Sequence, residues 1–390
     1  MPDPLTDNQF LDRALDLARQ GAGLASPSPY VGAIITSADG NIAGTGSYTY
    51  DGLKHAEVLA LEQAGDRARG GTLYINLEPH CHQGRTPPCT DALIAAGIQR
   101  VVACMPDPNP KVSGRGFEQL RAAGIPVEVG GFEAEARQLN EAFARFIRHG
   151  IPLVTLKSAM TLDGKIAPPA VVESDRKAGI PPGGWITGET ARAHVHEQRH
   201  RSDAILVGIG TILADDPLLT DRSGKTRRRP LLRVILDSHL QLPLNSRLVQ
   251  TVLNNGTSNN DVLVFYCHAE ENKKKELEAH GIQVEQLSAA SSYVHLDMRA
   301  VLRRLGQREI TSLMIEGGAT VNGSALAAGV VDKLFLYYAP KILALDGSIP
   351  FASGTTLPGA VQIPQVRHLQ IHRFAEDFAV EGYLRDPYDD

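Results

Sequence analysis

A chain of 390 residues is too long for one compact core, so its length predicts two domains. Hydrophobic residues at 43% and charged residues at 21% exclude disorder on a large scale, and a net charge of −5 excludes a general attraction to nucleic acid. No apolar run approaches the roughly 20 residues a membrane span needs, Met1-Pro2-Asp3-Pro4 lacks the features of a signal peptide, and four cysteines in a chain this long form no disulfide framework, so a cytoplasmic home is expected.

In chain order, Asp7 reads as the N-cap of a helix that carries Phe10, Leu11, Ala14, Leu15 and Ala18 on one face and stops at Gly21. Val31–Thr36 and Asn41–Tyr48, joined by Asp39-Gly40, read as a hairpin. A helix from about His55 to Ala64, a strand Thr72–Leu77, a helix Cys89–Ala96, short strands Val101–Met105 and Val127–Val129 and a helix Glu133–Arg148 follow, which together predict an α/β sandwich. His149-Gly150-Ile151-Pro152 marks a boundary. Strands at Leu153–Lys157, Ala204–Gly208, Leu231–Leu236, Val262–Tyr266, Leu313–Ile315 and Leu334–Tyr338, with helices at Glu189–Arg201 and Met298–Leu305, make a second α/β unit. Residues 167–184 are rich in Pro and Gly and read as a mobile loop, and Arg227-Arg228-Arg229 as a solvated one.

The chemistry concentrates in three segments: His55-Ala56-Glu57, Glu78-Pro79-His80-Cys81-His82 and Thr86-Pro87-Pro88-Cys89. A catalytic zinc takes three protein ligands and keeps a fourth position for water, whose pKa it lowers towards neutrality. A Glu that is not a ligand can then move the proton to a departing amine, the arrangement of zinc deaminases with His-x-Glu ahead of Pro-Cys. His-x-Glu alone says little, because residues two apart on a helix diverge by roughly 200°; its pairing with the Pro-flanked His/Cys cluster points to metal. Cys89 at a helix start is expected to favour thiolate.

Taken together, the segments resemble the bifunctional deaminase-reductases of riboflavin biosynthesis, the RibD family. Ser26-Pro27-Ser28-Pro29-Tyr30-Val31-Gly32, His55-Ala56-Glu57, Gly84–Cys89 and Asp107-Pro108-Asn109-Pro110 carry the resemblance in the first half. In the second, Leu162–Ala167, Trp185–Gly188, Ser202–Gly208, Ala214–Pro217, Glu316-Gly317-Gly318 and Ala339-Pro340-Lys341 carry it. The resemblance implies a cytidine-deaminase-like three-layer domain over residues 1–149 and a dihydrofolate-reductase-like domain over 150–390. It implies zinc-dependent deamination of a ribosylated diaminopyrimidinone phosphate, then NADPH-dependent reduction of the ribose to ribitol. Glu57 would shuttle the proton, while Arg85, Asp107 and Asn109 would hold substrate; the last two are equally explained by a Pro-rich turn. Self-association through the reductase domain is implied as well.

The chain departs from the family at four positions. His80 stands where the family has a ligand cysteine, with Cys81 displaced by one, so His80 or Cys81 is the third ligand beside His55 and Cys89, with His80 favoured and His82 set near the substrate. Ser28 replaces an Asn and Tyr48 a His, which removes polar partners from the presumed pyrimidine pocket. Gly183, after an insertion at about 168–182, replaces a Ser.

In the reductase half, Gly208-Ile209-Gly210-Thr211 lacks the third glycine of a dinucleotide fingerprint, Leu213 standing there. Glu316-Gly317-Gly318-Ala319-Thr320 is a better phosphate site, a strand leading through glycines into a helix. The resemblance implies NADPH contacts from Ala159, Trp185, Thr211, Asp215 and the run Gly318, Ala319, Thr320, Val321, Asn322, Gly323 and Ser324. It implies substrate contacts from Arg199, Leu219, Arg222 and Glu316, the arginines suiting a phosphate, with Lys157 a further candidate. Two other readings stay open: a paralogue acting on a related pyrimidine- or purine-derived metabolite, and a working reductase beside a non-catalytic deaminase-like domain. No basic stripe with interleaved aromatics is present, so a small-molecule substrate rather than nucleic acid is expected.

Overall fold

The computed structural model describes residues 5–169, 185–254, 257–287, 296–354 and 364–389. The chain divides into two compact units, Met1–Gly150 with Thr226–Arg229 and Asp390, and Ile151–Lys225 with Pro230–Asp389.

In the first unit α1 (Asp7–Arg19) is capped by Thr6, not by Asp7 as expected: Thr6 accepts from the Gln9 amide and the Gln9 side chain returns to the Thr6 amide. Asp7 is drawn instead to Arg100 Nη2 at 2.6 Å and Tyr74 Oη at 2.7 Å. The expected hairpin forms from β1 (Gly32–Thr36) and β2 (Ile42–Ser47). There follow α2 (Ala56–Ala64), β3 (Thr72–Ile75), α3 (Cys89–Ala96), β4 (Arg100–Ala103), α4 (Arg115–Ala122), β5 (Val127–Val129) and α5 (Glu133–His149). The sheet runs β2-β1-β3-β4-β5, antiparallel around β1 and parallel from β3 to β5. Ala56 and Ala60 of α2, Leu93 of α3 and Phe117 and Leu120 of α4 pack with Ala33, Ile35, Leu73, Ile75, Val101 and Ala103 on one face. On the other, α1 lies on Gly32 beside α5, which completes three layers. Gly44 and Gly46 let α2 press on β2: a Cβ there would sit 2.1 and 2.0 Å from the carbonyl oxygens of Ala60 and Ala56. That close approach fixes the start of α2, where His55 and Glu57 lie.

In the second unit β6 (Leu153–Thr161), β7 (Ala204–Gly208), β8 (Leu232–Leu236), β9 (Val262–Tyr266), β10 (Gln283–Gln286), β11 (Ser312–Ile315), β12 (Lys333–Ala339), β13 (Arg367–Phe374) and β14 (Asp377–Tyr383) form one sheet. Its order is β10-β9-β8-β7-β11-β6-β12-β14-β13, parallel as far as β12, with β14 and β13 added antiparallel. The main helices are α6 (Glu189–Arg201), α7 (Ile209–Asp215), α8 (Glu271–Ala279), α9 (Met298–Gln307) and α10 (Ala319–Ala327). Val154, Leu156, Leu206, Val234, Leu313 and Ile315 face α9 and α10. Their neighbours in the strands face the other way, Ile205, Val207, Ile235 and Val264 packing with Leu277 of α8. On that second face Phe335, Tyr337 and Ala379 pack with Ala191 and Val195 of α6. Strand parity therefore puts Lys157, next after Leu156, and Glu316, next after Ile315, on the α6 face.

Candidate active sites

His55 is the N-cap residue of α2 and Glu57 lies in its first turn, while Cys89 opens α3 behind Pro88. The two helix starts bring one donor atom from each of these three side chains within 4.8 Å of one another. His55 Nδ1 is 3.1 Å from Cys89 Sγ, and its Nε2 is held at 3.1 Å by Thr86 Oγ1. Glu57 is 3% exposed and Cys89 fully buried. The helix start does not by itself make Cys89 a thiolate, contrary to expectation: burial, then the Glu57 charge, push the thiol far up. A divalent cation is the group that lets a buried thiol ionise, since a coordinating thiol loses its proton; the donor set fits zinc.

His80 and Cys81 both lie outside that cluster. The His80 ring stands 5.1 Å from that of His55 and 4.1 Å from that of the exposed His82. Burial, then His82 and His55, lower its pKa to about 4, which leaves a neutral imidazole at pH 7, and its Nδ1 is buried with no hydrogen-bond partner. The Cys81 thiol is raised by burial and by the charge of Glu78, with Arg115 and Asp107 as its other charged neighbours.

Polar clamps hold the walls of this pocket. Ser28 Oγ accepts from Tyr48 Oη at 3.2 Å, so the two replaced positions satisfy each other. The Tyr30 amide donates to Asn140 Oδ1 at 2.8 Å, and Tyr30 O accepts from Asn76 and Asn140 at 2.9 and 3.1 Å. Glu78 accepts from the amides of Asp107, Gly114 and Gly116 at 3.1, 2.8 and 2.8 Å, which pins the 107–116 loop to the end of β3. Asp107 accepts from the Asn109 amide at 2.8 Å and Asn109 from the Lys111 amide at 3.1 Å, so both side chains shape the turn. Burial pushes the Asp107 carboxyl up to about 7 despite the Asn109 amide. Arg85, which is exposed, lies over the Tyr50 ring at 3.9 Å. Glu78 and Thr86 stand in two of the segments that the sequence marks for chemistry, without a role of their own there, whereas Asn76 and Asn140 carry no local sequence signal.

In the second unit Glu316 is gripped by Arg199 Nε at 2.7 Å, Arg199 Nη2 at 3.0 Å and Lys157 Nζ at 3.3 Å. Burial raises the Glu316 carboxyl, but the Lys157 and Arg199 charges outweigh it and hold it at about 2. Arg199 Nη1 also donates to Thr220 O at 3.1 Å, so at least three of its N–H groups are taken up within the protein. Leu219 is buried in the core beside Ile205 and Ile212, whereas Arg222 is exposed. Gly318 caps α10 without a side-chain bond, and a Cβ there would lie 3.9 Å from Thr211 Oγ1 on α7. Those bare amides behind a glycine turn fit a dinucleotide phosphate. Thr320 and Asp215 are exposed, Ser324 is half-buried and Ala319 is buried. Val321 fills the space that Gly208 and Gly317 leave, Asn322 is fully buried and donates to Phe351 O at 2.8 Å, and Gly323 packs under Ser353 O. Ala159 sits in β6 opposite Tyr337, and Trp185 is 75% exposed, with Arg192 over its ring at 5.1 Å. Gly183 and residues 170–184 of the expected loop lie outside the described residues.

Residues 4–105 match the cytidine and deoxycytidylate deaminase zinc-binding region, and residues 152–380 match the RibD C-terminal domain. The riboflavin biosynthesis protein RibD of Aquifex aeolicus is 39% identical over 375 residues, 96% of this chain and 97% of its own length. This chain belongs to the RibD family. The RibD of Escherichia coli is also 39% identical, over 96% of this chain and 98% of its own length. The solved RibD of Acinetobacter baumannii is 33% identical with a TM-score of 0.80, covering 97% of this chain and 98% of that one. A Thermotoga maritima structure described as a diaminohydroxyphosphoribosylaminopyrimidine deaminase/5-amino-6-(5-phosphoribosylamino)uracil reductase is 34% identical with a TM-score of 0.75, with the same coverage. The chain is thus a bifunctional enzyme of riboflavin biosynthesis, a hydrolytic deaminase and a reductase, whose cofactors are zinc and NADPH. No helix among the described residues is long and apolar enough to cross a membrane.

Proposed function

We propose that residues 1–149 form the deaminase domain and 150–390 the reductase domain, acting in turn on a ribosylated diaminopyrimidinone phosphate. The convergence of His55, Glu57 and Cys89 carries this reading. When bound, zinc supplies the Lewis acidity that makes water a nucleophile at neutral pH. Glu57 takes the proton from the attacking water and delivers it to the departing amine. His55 and Cys89 hold the metal, with His80 as third ligand; its orphaned Nδ1 and its place beside His55 support it over Cys81, whose charged neighbours are a different set. Ser28, His82, Arg85, Asp107 and Asn109 line the substrate, Arg85 meeting its anionic end.

In the reductase domain NADPH supplies the hydride. Gly318, Thr320 and Thr211 offer the phosphate cradle, and Trp185, Ala159 and Asp215 complete it. Lys157 and Glu316 face the ribose. The Arg199 fork is engaged by Glu316, so Arg199 serves as the holder of Glu316 and the exposed Arg222 as the phosphate contact. A second reading, an altered pyrimidine substrate, is favoured by the Ser28–Tyr48 bond, which offers hydroxyls where the family has an amide and an imidazole. Four free cysteines support a cytoplasmic home. Exposed Leu369 and Ile371 on β13, at the sheet edge, support self-association through the reductase domain.

The test is Glu57→Gln. It should keep about one zinc per chain and lose ammonia release by roughly 10²–10⁴-fold, while NADPH oxidation with deaminated substrate is unchanged. Undiminished ammonia release would end the assignment of Glu57.

A further inference from the structure

Arg228 is not the solvated residue that the run Arg227-Arg228-Arg229 suggests. Thr226–Arg229 belong to the first unit although the chain on both sides belongs to the second. The Arg228 side chain is 22% exposed, and its guanidinium lies 3.8 Å from the centroid of the Tyr50 ring. Arg85 lies 3.9 Å from the same centroid, so one ring carries two guanidinium groups. Arg228 is fixed there on every side: its amide donates to Gly23 O at 2.8 Å, its Nε to Asp51 Oδ1 at 3.0 Å and its Nη1 to Ser26 O at 3.1 Å. Arg229 Nη2 adds a bond to Ser26 Oγ at 2.9 Å, and the Tyr50 amide donates to Leu24 O at 3.1 Å. The loop thus gripped, 23–26, runs directly into Ser28, which bonds Tyr48 on the pocket wall.

The two arginines differ in what they have left to give. The Arg228 guanidinium is engaged by an acid, Asp51, and a carbonyl, Ser26 O. Arg85 is exposed and has no ion-pair partner among the described residues. A guanidinium stacked on an aromatic face keeps its edge N–H donors in the ring plane direction, open to a bidentate anion. A free, flexible arginine would lose rotamer entropy on meeting that anion, and a ring fixed beneath it lowers the loss.

We propose that Arg228, supplied by a segment from the middle of the reductase sequence, is a positioning residue of the deaminase site: it fixes Tyr50 as the platform that holds Arg85 for the anionic end of the substrate. The inference rests on the reading of Arg85 as a substrate contact.

The experiment is steady-state ammonia release by the full-length zinc enzyme, with the ribosylated diaminopyrimidinone phosphate as the probe, for Arg228→Ala, Tyr50→Phe, Tyr50→Ala, the double variant Tyr50→Ala/Arg228→Ala and Arg85→Ala. Arg228→Ala should raise KM about tenfold and leave kcat within about twofold, because the contact acts on binding and not on proton transfer. Tyr50→Phe, which keeps the ring, should leave KM at the parent value. The double variant should be no worse than Tyr50→Ala alone, since both act through one platform. Zinc content equal to the parent's checks the fold of each variant. Arg85→Ala raising KM while Arg228→Ala does not would overturn the positioning role. A fall in kcat and zinc content with Arg228→Ala would overturn it in favour of a general structural role. Arg85→Ala without effect on KM would overturn the reading of Arg85 itself.

Discussion

Around Glu316 two cations face one buried carboxylate, Arg199 through two N–H groups and Lys157 through its ammonium. Glu57 has no ion-pair partner among the described residues; the donor atoms gathered with its own are a buried thiol and an imidazole. Glu57 is buried and the Glu316 side chain only 10% exposed, and burying a lone charge costs more than a protein can spare. The reductase site therefore closes its charge balance with its own side chains, whereas the deaminase site leaves a place for an ion to close it. The first arrangement is permanent and resists ligand-free unfolding; the second couples stability to metal.

The strongest way to break the comparison is Glu316→Gln, which leaves the largely buried Lys157 and Arg199 without their acid. Loss of one partner of a buried pair costs about 3–5 kcal/mol, and the denaturation midpoint of the reductase unit should fall accordingly, with or without chelator. The pH dependence has a definite sign. The Glu316 carboxyl is held at about 2 against an ordinary 4.5, so its contribution is complete above about 4.5 and is lost as pH falls towards 2. The gap between parent and variant should narrow from pH 5 to pH 3, read by urea unfolding at each pH. A gap that stays constant would mean that Glu316 is not the group that balances the two cations.

The same comparison explains what the sequence made legible. The deaminase cluster has a local grammar: His55 and Glu57 share one helix start, Thr86 to Cys89 lead into another, and each segment can be read alone. The supports have none. Asn140 reaches Tyr30 across 110 positions, Glu78 reaches Gly116 across 38, and Arg228 reaches Ser26 across 202. No periodicity carries such distances, because they are set by how the sheet stacks its helices. In the same way β13 leaves little apolar alternation to read, because six of its eight positions are exposed and none is buried. Asn322 and Gly323 matched the family's cofactor run, yet the turn of α10 points them into the interior.

A sharper and more local test concerns the third zinc ligand. If the orphaned Nδ1 of His80 completes the set, His80→Ala should weaken zinc binding more than 100-fold, beyond the ~10–100-fold typical of residues that only orient a ligand. Cys81→Ala should leave affinity near the parent value. Competition against a chromophoric chelator ranks the two, and the opposite ranking would return the ligand role to Cys81.

The smallest effect is expected at Thr86. Its hydroxyl holds His55 Nε2 at 3.1 Å while Nδ1 faces Cys89, so it selects which imidazole nitrogen presents a lone pair to the metal. Thr86→Val keeps the shape and removes the hydrogen bond, and should weaken zinc roughly tenfold, the lower end for such supports, while Thr86→Ser should restore it. The reductase site offers the control: its ion triad has no metal to lose, so NADPH-dependent activity in Thr86→Val should match the parent. Unchanged zinc affinity would mean that the edge contacts of His55 with Tyr48 at 5.5 Å and His80 at 5.1 Å orient the ring by themselves. In that case Tyr48→Ala, rather than Thr86→Val, should release the metal, and the replaced family histidine would have been exchanged for an aromatic brace.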